Sequence, residues 1–413
     1  MRIALLSYRS KAHVGGQGVY VHYLSRGLVE AGHEVTVFSA QPYPVGLDPR
    51  VKLIKVPSLD LYREPDPFRR PKLKEFRDPV DVIEYLTMLT GYFVEPLTFS
   101  LRMAKIWAKH RNDFDVVHDN QSLGYGLLKI ANSGTPFVAT IHHPISRDKA
   151  LELNEAKGLR RLSIRRWYGF VNMQARVASK LPFIIGVSDE AAKDTELDFK
   201  LKRDSVDVIP LGVDTELFIP RGQRVSGRLV AIASADSPLK GVRFLLEALA
   251  KLRTQHDVQL HLVSSLNPNG ETSRLIDDLN LRDHVFIHSG VSDEDLAKLL
   301  ASGEVMCVPS LYEGFSLPTV EAMACGTPVV ASRVGALPDV VGADGDCAVL
   351  VEPGNVEDLV AAISALLASP AVRSRMGEAG RKRAEEHFSW NSVARRTVAV
   401  YQKAIDRSVL ANR

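Results

Sequence analysis

Short apolar segments alternate with amphipathic stretches along this chain, and the alternation runs through once and then begins again. Ile3–Leu6 is an apolar run followed by the glycine-rich turn Val14-Gly15-Gly16-Gln17-Gly18, and Val19 to Glu30 then place Tyr20, Leu24 and Leu28 on one helical face. Gly32 is expected to close that helix and Glu34–Ser39 to form the next strand. Further strands are expected at Val51–Val56, Val116–His118, Phe137–Ile141 and Phe183–Val187. The pattern restarts after Ile209–Asp214 and the polar link Pro220–Gly227. Strands follow at Leu229–Ala233, Val258–Val263, His284–His288, Val305–Pro309, Val329–Ala331 and Ala348–Val351. Strands separated by helices pair in parallel, with helices covering both faces of the sheet. The fold class is therefore α/β with two doubly wound domains, over residues 1–200 and 201–390. A terminal helix over 391–413 has no strand after it to cover and is expected to pack back on the first domain. The 413 residues are too many for one ordinary core and suit two.

Composition excludes several classes. A net charge of +3 gives no global case for nucleic acid, and none is expected as a partner. Cys307, Cys325 and Cys347 are odd in number and form no CxxC pair, which argues against a disulfide framework or zinc site and for a reducing, cytoplasmic setting. The opening apolar run is shorter than the core of a signal peptide, and no stretch approaches the ~18 apolar residues that span a bilayer.

The sharpest chemical signal is the string from Ser310 to Gly326, SLYEGFSLPTVEAMACG. An apolar strand ends, a loop carries Glu313, Gly314 and Phe315, and a helix begins at Leu317-Pro318 with Ser316 as its N-cap. Amides at a helix start, aided by the helix dipole, bind anions such as a diphosphate. Glu313 and Glu321 bracket that place, and two carboxylates there can hold sugar hydroxyls. Lys240, in Ser237-Pro-Leu-Lys240-Gly241, precedes another helix. A cation there opposes the dipole unless an anion is near, and a diphosphate leaving group would be that anion. Thr140-Ile-His142-His143-Pro144 follows a strand, so His142 is a candidate to hydrogen-bond a sugar or phosphate oxygen.

The Glu313–Glu321 spacing around Gly-Phe-Ser-Leu-Pro resembles the signature of the family-4 retaining glycosyltransferases. The similarity extends to the Gly15-Gly16 turn, Ala31–Val35, Ile209–Asp214 and Pro328–Ala331. It implies the GT-B arrangement, two Rossmann-like doubly wound domains facing a cleft, with the acceptor on the first and a nucleotide-sugar on the second. It implies that Glu313 contacts the donor sugar and Glu321 the ribose, that amides around Phe315, Ser316 and Leu317 serve the phosphates, and that Lys240 binds them too. His142 matches the family's active-site histidine. The family usually carries an arginine a few residues before the lysine; Ala233-Ser-Ala235-Asp236-Ser237 has none, and Arg147 or Lys149 is the expected substitute.

No metal-ligand spacing is present, so no metal and no cofactor is expected beyond the nucleotide-sugar substrate. Asp344-Gly-Asp346 reads as a turn and Asp293-Glu-Asp295 as an acidic helix start. Arg160, Arg161, Arg165, Arg166, Arg176 and Lys180, interleaved with Leu162, Trp167 and Phe170, suggest peripheral contact with anionic lipid at the cytoplasmic membrane face. A second basic cluster lies at Arg69–Arg77. The resulting expectation is a retaining, metal-independent glycosyltransferase with a hydroxyl acceptor. A nucleotide-sugar epimerase of the same fold and a sugar-nucleotide-binding pseudoenzyme are the alternatives.

Overall fold

The computed structural model describes residues 1–10, 16–63 and 66–411. The first sheet contains β1 (Arg2–Ser7), β2 (Glu34–Ser39), β3 (Lys52–Lys55), β4 (Val116–Asn120), β5 (Phe137–Ile141), β6 (Ile184–Gly186) and β7 (Val206–Val208), in the order β3-β2-β1-β4-β5-β6-β7. The second contains β8 (Arg228–Ile232), β9 (Gln259–Val263), β10 (Val285–His288), β11 (Val305–Val308), β12 (Val329–Ser332) and β13 (Ala348–Val351), in the order β10-β9-β8-β11-β12-β13. Every pairing is parallel; β1, for example, sets Leu5 opposite Val37 on β2 and opposite His118 on β4. Ile3, Ala4, Leu5 and Leu6 have no exposed surface, because helices cover both faces and alternation in and out is not required.

The helices are placed by ordinary local rules. Ser188, Ser292 and Asn355 accept hydrogen bonds from first-turn amides of their helices. Along Val242–Leu252 the residues Leu245, Leu246, Ala248, Leu249 and Leu252 form the buried stripe.

The chain divides into two compact units, Met1–Pro210 with Val393–Arg413, and Leu211–Ser392. The first unit ends some ten residues beyond the boundary expected at 200, because Val206–Val208 adds a seventh strand beside β6. The last helix, Trp390–Ala411, starts in the second unit and continues in the first. There Tyr401 is fully buried, with its hydroxyl 2.6 Å from His118 Nδ1, and Lys403 pairs with Asp207 at 2.9 Å.

Both sheets run outward in two directions from a central strand. The switch lies between β1 and β4 in the first and between β8 and β11 in the second. Loops leaving the carboxyl ends of those strands diverge, which is where doubly wound sheets take ligands.

Candidate active site

In the second unit the residues singled out from sequence sit on the two loops that diverge at the β8/β11 switch. Lys240 ends a single 3-10 turn, Pro238–Lys240, after β8; Glu313 follows β11. The loops are clamped together by backbone. Leu311 N donates to Leu239 O at 2.7 Å, and Gly241 has φ 62° with its Cα so close to the Pro309 carbonyl that a Cβ would collide with it. Gly335 presses on the Glu313 carbonyl in the same way, and Ala336 N donates to that oxygen at 3.0 Å. The side chains meet as a result. Lys240 Nζ lies 2.8 Å from Glu313 Oε1, and Ser310 Oγ donates to the same oxygen at 2.8 Å. Glu313 is largely buried, whereas a third of Lys240 remains exposed. Ser310, Gly241 and Gly335 were given no role from sequence; a serine three residues before the candidate carboxylate and glycines in both loops were the available signals.

The helix Leu317–Ala324 begins as expected, with Pro318 in its first turn. Ser316 is the N-cap by position, but its side chain does not cap: the residue is left-handed, φ 77°, and its hydroxyl lies 2.8 Å from Thr319 Oγ1. Pro318 has no amide hydrogen and Thr319 N donates to Ser316 O at 3.2 Å, so Leu317 N is the first-turn amide that lacks a helical acceptor by position. Phe315 is buried with its ring edge-on to Phe388 at 5.7 Å, so only its backbone can serve a ligand. Glu321 keeps part of its surface in solvent, yet loss of hydration, with Asp293 adding a smaller repulsion, pushes its carboxyl up to about 7.

The segment that lacks the family arginine is tied elsewhere. Ala235 is buried, its amide donates to Ser264 Oγ, and Asp236 accepts from Thr272 N at 3.1 Å. Arg243 points into solvent and pairs with Glu247. The expected substitute, Arg147, is committed to Asp194 at 2.7 Å and Asp198 at 3.0 Å within the first unit.

The first unit contributes His142, just past β5. Its Nε2 lies 2.7 Å from Asn120 Oδ1, and its amide donates to Gln121 Oε1. Asn120 Nδ2 donates to the Gln17 carbonyl at 3.1 Å, so the asparagine oxygen must accept and Nε2 must carry the ring proton. Burial, helped by His143 and His118, pulls His142 down to about 3 and keeps it neutral. The remaining nitrogen, Nδ1, has no partner among the described residues and can only accept. Of the expected partners, a sugar hydroxyl can therefore donate to this nitrogen, whereas a phosphate oxygen without a proton cannot. His118 is structural, held between Tyr401 and Thr140, and Asp119 accepts from Ser122 and Leu123 N. Gly16 opens the helix Gly16–Glu30, while Gly15 lies outside the described residues.

Asp344 binds Arg333 and the Leu350 amide, and Asp295 sits in a helix capped by Ser292. Among the described residues no group of three or more His, Cys, Asp or Glu is placed to hold a metal. The basic stretch is divided. Arg161 binds the Leu153 and Ala156 carbonyls, Arg166 binds Thr90, and Arg176 binds Tyr125, while Arg160, Arg165 and Lys180 are exposed. Arg69 of the second cluster is buried against Glu75 and the Leu59 carbonyl.

Known proteins carry the same organisation. Residues 14–217 match the model described as Glycosyltransferase Family 4, and residues 215–383 match Glycosyl transferases group 1. An MMP alpha-(1->4)-mannosyltransferase of Mycolicibacterium hassiacum is 61% identical over 98% of this chain and 99% of its own. A D-inositol 3-phosphate glycosyltransferase of Xylanimonas cellulosilytica is 29% identical over 98% and 97%. Among solved structures, sucrose-phosphate synthase from Thermosynechococcus elongatus superposes with a TM-score of 0.74 at 23% identity, covering 98% of this chain and 99% of that one. The epimerase and binding-only readings are not favoured by these relatives, which are transferases.

Proposed function

The chain belongs to glycosyltransferase family 4, and from that premise we propose that it is a retaining transferase that moves mannose from a nucleotide diphosphate sugar to a glycan hydroxyl, forming an α-(1→4) bond. The chain is a glycosyltransferase of GT-B fold; mannose and linkage rest on the name of the relative at 61% identity.

The carrying observation is the Lys240–Glu313 pair at the β8/β11 switch. A diphosphate is a stronger partner for Lys240 than one carboxylate, and together with the helix-start amides it would be stabilised there as charge develops on the leaving group. Glu313 then turns to hydroxyls of the transferred sugar, and Glu321 takes the ribose. His142 Nδ1 accepts from a hydroxyl. In the transfer the acceptor oxygen bonds to the anomeric carbon on the face from which the diphosphate departs. The carbon–oxygen bond to phosphate breaks, and the acceptor proton passes to a diphosphate oxygen. This route needs no protein nucleophile, and Glu313, held at one oxygen by both Lys240 and Ser310, is a poor one. Lys240 and the helix-start amides supply the positive charge that a divalent ion would otherwise bring to the diphosphate, so the reaction needs no metal and no cofactor.

Among the described residues no helix is long and apolar enough to cross a membrane. We place the protein in the cytoplasm, with reversible membrane contact through Arg160–Lys180. Leu159 and Leu162, 86% and 64% exposed beside Arg160 and Arg165, support that contact.

Incubation with GDP-, UDP- and ADP-mannose and a manno-oligosaccharide, read by proton NMR of the product, tests the reading. An α-linked product formed in the presence of chelator is expected. A β-linked product overturns retention, and loss of activity restored by magnesium or manganese overturns metal independence.

A further inference from the structure

Two connecting stretches of the first unit, within 57–100 and 144–170, meet at one place. Tyr62 and Phe68 come from the connection after β3, Phe93 lies just before the helix Glu95–His110, and Trp167 ends the helix Leu159–Trp167. The Phe93 and Trp167 rings lie 5.2 Å apart, Tyr62 is 5.2 Å from Phe93 and 5.6 Å from Trp167, and Phe68 is 6.0 Å from Trp167. Phe93 N also donates to Trp167 O at 3.3 Å, so backbone fixes the junction. Four aromatics in contact are ordinary core when covered. These are covered only in part: Tyr62, Phe93 and Trp167 pack on the core yet keep some surface, and Phe68 is 53% exposed. A clustered exposed apolar patch of this kind marks a binding surface more often than isolated exposed residues do.

An ion pair adjoins the rings. The Arg9 guanidinium sits over Phe93, 5.8 Å from its centroid, and donates to Glu95 Oε1 at 2.9 Å. The Glu95 side chain is 92% buried (8% exposed), yet its Oε2 has no partner among the described residues, and neither has Arg9 Nε. A buried carboxylate oxygen left without a donor calls for a ligand that brings one. Arg9 lies two residues past β1, at the carboxyl edge of the sheet beside the β1/β4 switch, the position where such sheets bind.

We propose that Tyr62, Phe68, Phe93 and Trp167 form a platform for a sugar ring of the glycan acceptor, and that Arg9 and Glu95 bind that ring's hydroxyls. This rests on the transferase reading above and names the residues that hold its acceptor. The chemistry selects a neutral, hydroxylated, flat-faced ligand. Aromatic faces are electronegative and meet the polarised C–H face of a pyranose. Glu95 Oε2 accepts from a hydroxyl and Arg9 Nε donates to one. Because ionised Glu95 cancels the Arg9 charge, an anionic acceptor gains little from Arg9, and an alkyl chain would leave the Glu95 oxygen unsatisfied.

The probe is α-(1→4)-linked mannotetraose, used with whichever nucleotide-mannose the wild-type chain turns over. Phe68→Ala and Glu95→Gln should each raise KM for mannotetraose by about fivefold or more, while KM for the nucleotide-sugar stays within about twofold. Because Trp107 and Trp390 are buried, emission on adding mannotetraose reports chiefly on Trp167, and the change should vanish in Trp167→Phe. Phe68 is exposed, so its variant folds even if the Glu95 variant does not. Wild-type transfer with unaltered acceptor KM in Phe68→Ala, and no Trp167 response, overturns the platform and leaves the transferase reading standing. A Trp167 response to mannotetraose in a chain that transfers no mannose upholds the platform and overturns the mannosyl reading.

Discussion

Lys240 Nζ and Glu313 Oε1, 73 positions apart in the chain, lie 2.8 Å apart because β8 and β11 are neighbours and their loops share backbone contacts. A largely buried carboxylate and an ammonium one-third exposed are thus held as a pair.

Lys240→Ala should remove that cation and leave Glu313 with Ser310 alone. Hydrogen bonds to charged groups are worth ~1.5–3 kcal/mol, so turnover should fall at least about tenfold. Steady-state kinetics checks this; undiminished turnover would remove Lys240 from the chemistry. Ala235→Arg, into a buried position, should restore nothing and lower the melting temperature.

The two glutamates should separate by ligand. Calorimetry with the bare nucleotide diphosphate should show a larger loss of affinity for Glu321→Ala than for Glu313→Ala, whose effect should appear mainly in turnover of the intact sugar donor. The reverse order would exchange their roles.

Asn120 should act on His142 through its tautomer. Nitrogen NMR should show the Nε2-protonated neutral ring across pH 5–8, since the group titrates at about 3. Asn120→Leu should mix the tautomers and lower turnover with little change in nucleotide affinity. A pH–rate limb near 6.5 that disappears in His142→Asn would contradict a permanently neutral ring.

Glu95 and Glu321 are both pushed up to about 7 by burial, from 4.5 when free. Between those values the folded chain holds more protons than the unfolded one. Stability therefore falls as pH rises through that window and the full cost is present above about 7. For Glu95 the cost approaches ~3 kcal/mol; Glu321, partly in solvent, contributes less. Melting temperatures of wild type against Glu95→Gln from pH 4.5 to 8 should diverge in favour of the variant at the high end. Parallel curves would refute the shift.

Sedimentation with anionic vesicles should be measurable at low salt and fade as exposed charges are screened over ~8–10 Å at physiological ionic strength. Leu162→Glu should abolish it. Equal binding to neutral vesicles would leave Arg160, Arg165 and Lys180 as solvated surface.

The repeated apolar runs made both sheets legible from sequence, because a strand covered on both faces must be apolar at every position. Val206–Val208 escaped because an edge strand with Asp207 at its centre has no such run. The strand, loop and helix start around Ser310–Gly326 were legible because their residues are contiguous. What joins Lys240 to Glu313, Asn120 to His142, or Tyr62 to Trp167 is strand order and loop path, which residue spacing does not encode. The same holds for Arg161, Arg166 and Arg176: their acceptors Leu153, Ala156, Thr90 and Tyr125 lie outside any helical period that could have flagged them.

Tyr401 completes the hydrogen bonding of His118 at the heart of the first unit, with Thr140 on the ring's other nitrogen and Tyr20 beyond it. That tyrosine lies 283 positions after His118, beyond the whole of the second unit. Until it emerges, the first unit has its sheet but carries a buried imidazole nitrogen without a partner, and so remains its less settled self throughout synthesis of the second. The order of translation therefore lets the second unit reach its finished form before the first has this internal hydrogen bond.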